Sequence, residues 1–118
     1  MTISKGQMDA LGAYTRKQFE QRLAEYIQDK FPGKTKDSTI DEIMILVRKS
    51  IEKAEYYGID HEDDIRRFIE YIMIYGSHMD TDEKSRWIGD ILRQMDLGGA
   101  LKMDLLDRRE LQMLRRQT

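Results

Sequence analysis

The sequence predicts an all-α fold: a compact single-domain bundle of about five helices around a central apolar helix at about residues 61–75. Three observations carry this reading. Apolar residues recur at three- and four-residue spacing through most of the chain, which is the period of one helix face. Only one proline occurs in 118 residues, so little interrupts helical geometry. The stretch 59–76, IDHEDDIRRFIEYIMIYG, opens on acids suited to a helix start and closes on a glycine. At about 100° per residue, Phe68, Ile69, Ile72 and Met73 share a face with Ile65, while Tyr71 and Tyr75 widen it and Ile74 lies opposite. A helix apolar on nearly every side belongs inside a bundle, and Ile69 and Ile72 are expected at the centre of the core.

The elements follow in order. Ser4 and Gln7 form a capping box and Ile3 staples onto Met8, opening a first helix over about 5–30. Its stripe runs Met8, Leu11, Thr15, Phe19, Leu23, Tyr26 and Ile27. Pro32 pushes Phe31 out of helical geometry, and residues 32–38, PGKTKDS, read as a polar connector. Thr39 and Glu42 form the next capping box. Behind them Ile43, Val47, Ile51 and Ala54 form a buried stripe, flanked by Ile40, Met44 and Leu46. Gly58 suits the left-handed position that ends a helix, with Ile59 folding back on Ala54. Asp60 is expected to cap the central helix, and Glu62, Asp63 and Asp64 complement its dipole.

Gly76 closes that helix, and either Asp80 or Asp82 caps a fourth, with Trp87, Ile88, Ile91, Leu92 and Met95 turned inward. Gly98 and Gly99 break it before a last helix over about 100–115, carrying Leu101, Leu105, Leu106, Met113 and Leu114. The basic end, 108–118, is expected to fray.

Composition narrows the function classes. Lys and Arg number 20 against 22 Asp and Glu, a net charge of −2, which is not the basic field of a nucleic-acid binder. Cysteine is absent, which removes thiol nucleophiles and thiolate metal sites. No run approaches the roughly 18 apolar residues of a membrane span, and the first residues lack the apolar core of a secretory signal. The expected location is therefore cytoplasmic.

His61 and His78 each lie near acids, but capping and solvation account for them, and no paired helical ligand motif occurs. Asp80-Thr81-Asp82-Glu83 lacks the glycine and distal glutamate of a calcium loop. No catalytic residue, cofactor or metal site is expected. The four arginines of the basic end lack interleaved aromatics and suit a helix C-terminus.

The aromatic residues point elsewhere. Tyr and Trp favour interfaces because they bury area while keeping a polar handle. Tyr56, Tyr57, Tyr75 and Met79 cluster near chain reversals, with Asp80 and Asp82 as a polar rim. These six are the candidate partner-binding residues, at the junction of the second and third helices and the loop leaving the third; the competing reading is that the tyrosines complete the core and the D-x-D acids serve only as caps.

Several motifs form an ordered set: IS-x-x-QM at 3–8, F-E-x-R-L at 19–23 before Phe31-Pro32, and I-x-x-A-x-x-Y-G-I at 51–59. E-x-D-I-x-R-F-I at 62–69, the D-x-D loop, W-I-x-x-I-L at 87–92 and K-M-D-x-L at 102–106 complete it. The set resembles a family of small helical bacterial proteins often encoded near type VI secretion spike and effector genes. It departs from that pattern at Met79, where an aromatic is usual, and in its short connector after Pro32. The resemblance lends no catalytic residues. It implies a non-enzymatic accessory protein that binds an effector or spike protein as adaptor or chaperone. An immunity protein that inhibits a cognate toxin is the alternative, and a small effector or enzyme without recognisable motifs is the third reading.

Overall fold

The computed structural model describes residues 13–117. They form α1 (Ala13–Lys30), α2 (Pro32–Thr35), α3 (Ile40–Tyr56), α4 (Glu62–Tyr75), α5 (Arg86–Leu92) and α6 (Gly99–Gln117), with a 3₁₀ turn at Glu83–Ser85 before α5. The all-α bundle is as expected, and the described residues contain no strand. The Ser4–Gln7 capping box and the Ile3–Met8 staple lie outside the described residues.

Local chemistry sets most boundaries. Phe31 leaves helical geometry at φ −124°, ψ 58°, and Pro32 then occupies the first turn of α2, where its missing N–H costs nothing. The expected connector therefore contains one helical turn. Thr39 Oγ1 accepts from the Glu42 N–H while Glu42 accepts from the Thr39 N–H, a complete capping box. At the far end of α3, Gly58 adopts φ +79°, and its N–H donates to the Glu55 carbonyl. The Ile59 N–H donates to the Ala54 carbonyl at 2.9 Å. These two bonds satisfy carbonyls that a helix end otherwise leaves orphaned, and they turn the chain directly into α4.

Other expectations are corrected. His61, not Asp60, stands at the N-cap of α4, and no side chain caps it. The expected fourth helix stops early, at Leu92. Met95 is consequently 83% exposed instead of facing inward. Leu101 and Leu114 of α6 are also exposed, as is Ile40 of α3. The last helix continues to Gln117, with Arg115 and Arg116 in its final turn, where cations complement the helix dipole.

Helix α3 packs against α1 and α4, α4 also packs against α6, and α5 packs on α6. Phe19, Leu23 and Ile27 of α1 meet the Ile43, Val47, Ile51 and Ala54 stripe of α3 in one core. Helix α4 contributes Ile65, Phe68, Ile69, Tyr71 and Ile72, and α6 contributes Met103 and Leu106. Ion pairs run over these seams: Arg16 to Glu55 and Arg48 to Glu20 join α1 and α3. Arg67 on α4 reaches Asp104 and Asp107 on α6.

Candidate functional site

A cleft of about 280 Å³ opens between α3, the end of α4 and the loop after it. Helix α3 supplies Leu46, Lys49, Ser50 and Lys53, whose spacing of three and four residues places them on one face. Ile72 forms part of the floor, and Ser77 and His78 form the far wall. Gly76 makes that wall possible, because its φ of 100° and ψ of 160° belong to a backbone region that is essentially glycine's alone. On the same helix, Ile45 and Tyr56 are 50% and 80% exposed. They lie eleven residues apart on α3 with Lys49 and Glu52 between them, again one helical stripe. Tyr56 is braced edge-on by Tyr57, with ring centroids 5.0 Å apart. The volume is just below the few hundred Å³ of a cofactor pocket and suits one or two side chains of a partner.

Behind the cleft lies a buried polar knot. Asp80 is 5% exposed, and its carboxylate accepts from the Tyr57 hydroxyl at 2.6 Å and from Lys53 Nζ at 2.9 Å. Lys53 also donates to the Ser77 carbonyl at 2.8 Å, which ties the cleft wall to α3. Arg93 donates to the Asp80 carbonyl at 2.7 Å, and Ser85 donates to the Met79 carbonyl at 2.8 Å. Burial opposes ionisation of Asp80, yet the bonds from Tyr57 and Lys53 hold its carboxyl below the usual range. Burial and then the bond to Asp80 push the Tyr57 hydroxyl up to about 12.

Gly89 makes room for this knot. A Cβ there would lie 2.2 Å from the Asp80 carbonyl oxygen, a backbone atom also held by Arg93. Gly89→Ala is therefore expected to cost about 1–3 kcal/mol through overpacking, read as a lower midpoint in urea melts with an unchanged slope.

Helix α6 seals the same corner from another side. Lys102 is only 2% exposed, and its Nζ donates to the Tyr57 carbonyl at 2.7 Å. Burial lowers its pKa against the opposing field of Asp96. Gly99 allows the approach, since a Cβ there would meet the Gly58 carbonyl oxygen at 2.7 Å.

The six expected partner-binding residues divide sharply. Tyr57, Met79 and Asp80 are buried at 7%, 0% and 5% exposure, so the expected partial exposure is corrected for these three. Their polar atoms are engaged in the knot, and Met79 fills the core beneath it. Tyr75 is half-buried: it donates to Glu110 at 2.5 Å and stacks on Tyr71 at 5.9 Å. Asp82 is exposed, and its carboxylate caps the 3₁₀ turn by accepting from the Lys84 N–H. Tyr56 alone of the six stands exposed on α3, the helix that supplies one wall of the cleft. Sequence reasoning missed Ile45, Lys49 and Lys53, although the Ile45–Lys49–Glu52–Tyr56 spacing was there to be read. His78, weighed as a metal ligand, lines the cleft instead.

Among the described residues, no three His, Asp or Glu side chains converge as a metal site requires. No helix there is long and apolar enough to cross a membrane. Comparison with family models, with curated proteins and with solved structures found no match.

Proposed function

We propose that this chain is a non-enzymatic protein-binding module that takes its partner on the α3 face, with Ile45 and Tyr56 as anchors. The single observation carrying this reading is the pair itself. Two large apolar side chains stay at least half exposed on one helical stripe, on the helix that also supplies Lys49 and Lys53 to the cleft. A few large anchors set among charged side chains can carry most of the energy of a protein interface, and a braced tyrosine loses little entropy when covered. The family resemblance makes a secreted effector or spike protein of a bacterial type VI system the first partner to test, with this chain as adaptor or chaperone.

Tyr56→Ser and Ile45→Ser, each made alone, test this. Each is expected to leave the melting temperature close to that of the parent. Each should weaken the complex with a co-expressed effector or spike protein by about tenfold, the loss of one anchor. Retained partner activity in the complex assigns an adaptor, whereas abolished activity assigns an immunity protein. Unchanged affinity in both variants would refute the α3 face as the binding surface.

A further inference from the structure

A second groove, of about 220 Å³, runs between α5 and α6. Ile91 and Leu105 line it with aliphatic surface, and Gln94, Arg108, Arg109 and Gln112 complete its lining. On α6, Leu101, Leu105, Arg108 and Gln112 follow each other at three- and four-residue spacing and share a face about 16 Å long at 1.5 Å per residue. Leu101 is 46% exposed and Met95, just past the end of α5, is 83% exposed.

The charges of α6 are sorted by side. Asp104 and Asp107 are bonded to Arg67 of α4, and Asp107 and Glu110 accept from Tyr71 and Tyr75 of the same helix. The acids are thus neutralised or hydrogen-bonded against α4. Arg108 and Arg109 border the groove, and among the described residues neither has an ion-pair partner. On α5 and its C-cap, by contrast, Arg86 and Arg93 both pair with Asp90. An apolar floor edged by two uncompensated guanidinium groups is complementary to aliphatic side chains flanked by carboxylates, which guanidinium groups bind bidentately.

We propose that the α5–α6 groove docks an acidic amphipathic helix of a partner protein, its aliphatic residues over Ile91 and Leu105 and its carboxylates on Arg108 and Arg109. Three turns of such a helix match the length of the α6 face. Nucleic acid fits less well, because the floor offers aliphatic side chains where base stacking needs aromatic ones. This surface is built from different elements than the α3 face, so the two stand or fall separately.

The test uses the full chain with three probes. One is a fluorescent synthetic peptide of about 16 residues, three to four helical turns with margin, carrying leucines on one face and glutamates beside them. The second replaces every glutamate with lysine, and the third is a short DNA duplex. The acidic peptide should bind, shift the methyl resonances of Ile91 and Leu105, and bind less tightly as salt rises. Joint Arg108→Glu and Arg109→Glu substitution should weaken it by about tenfold or more at an unchanged melting temperature, while Tyr56→Ser leaves it unaffected. Any of four results would overturn the proposal: no binding of the acidic peptide, equal binding of the lysine peptide, DNA shifting the same methyls, or undiminished affinity in the double variant.

Discussion

Ile69→Ala is expected to cost about 2–5 kcal/mol, the range for emptying a buried branched site. Ile69 is 0% exposed, on the helix that packs against α1, α3 and α6. Walls built from several helices cannot all move inward together, so the cavity persists and adds its own term to the lost transfer energy. Ile72→Ala should fall at the lower end, since Ile72 is 4% exposed and borders the cleft. A cost of this size is a large share of a small domain's total stability, about 5–15 kcal/mol. Urea melts with an unchanged slope check it, and a loss under about 1 kcal/mol for Ile69→Ala would contradict the core assignment.

Asp80→Ala should cost about 2–3 kcal/mol, because a buried hydroxyl and an ammonium lose their acceptor together. The figure lies below that for a fully buried pair, since the Lys53 side chain is 30% exposed and turns to water once released. The same knot sets a pH dependence. A carboxyl held below its ordinary 3.8 gives the folded state the weaker proton affinity, so its contribution is complete above that value. It is lost as pH falls through the depressed folded-state pKa. Tyr57 has the opposite sign: raised from 10.0 to about 12, it contributes fully below 10 and loses that contribution as pH climbs towards 12. Parent stability should therefore decline at both extremes. Asp80→Asn should flatten the acid limb specifically, and an acid limb as steep as the parent's would contradict the role given to Asp80.

Much of the fold was legible because local rules and the global bundle agree. The Thr39–Glu42 capping box, the Phe31–Pro32 break and the Gly58 turn each depend on residues within five positions of one another. The α4 face was legible because its apolar residues outnumber what one neighbour could cover. The misreadings share a physical cause. Met79 and Asp80 read as partly exposed loop residues near a chain reversal, yet Arg93 and Ser85 bond their backbone carbonyls from beyond the loop. Only a tertiary contact reveals that Met79 and Asp80 are interior. The burial of Lys102 leaves no local sequence signal for a similar reason, since a lysine on a helix normally reaches water. Here it satisfies the Tyr57 carbonyl at the end of α3. The α3 stripe is hard to read from sequence because it lies on the outward face of a helix whose inward face already accounts for its apolar pattern.

Tyr56 and Tyr57 are neighbours in sequence with opposite roles, and comparing them tests the account most directly. One is 80% exposed and proposed to anchor a partner, whereas the other is 7% exposed and bonded to Asp80. The measurement is a binding titration against the co-purified effector or spike protein, run beside thermal melts of Tyr56→Ser and Tyr57→Phe. Tyr56→Ser should weaken binding by about tenfold and leave the melt unchanged. Tyr57→Phe keeps the ring that braces Tyr56 but removes the hydroxyl, so it should lose about 1 kcal/mol of stability and bind as the parent does. If Tyr57→Phe weakens binding while Tyr56→Ser does not, the α3 face is not the docking surface.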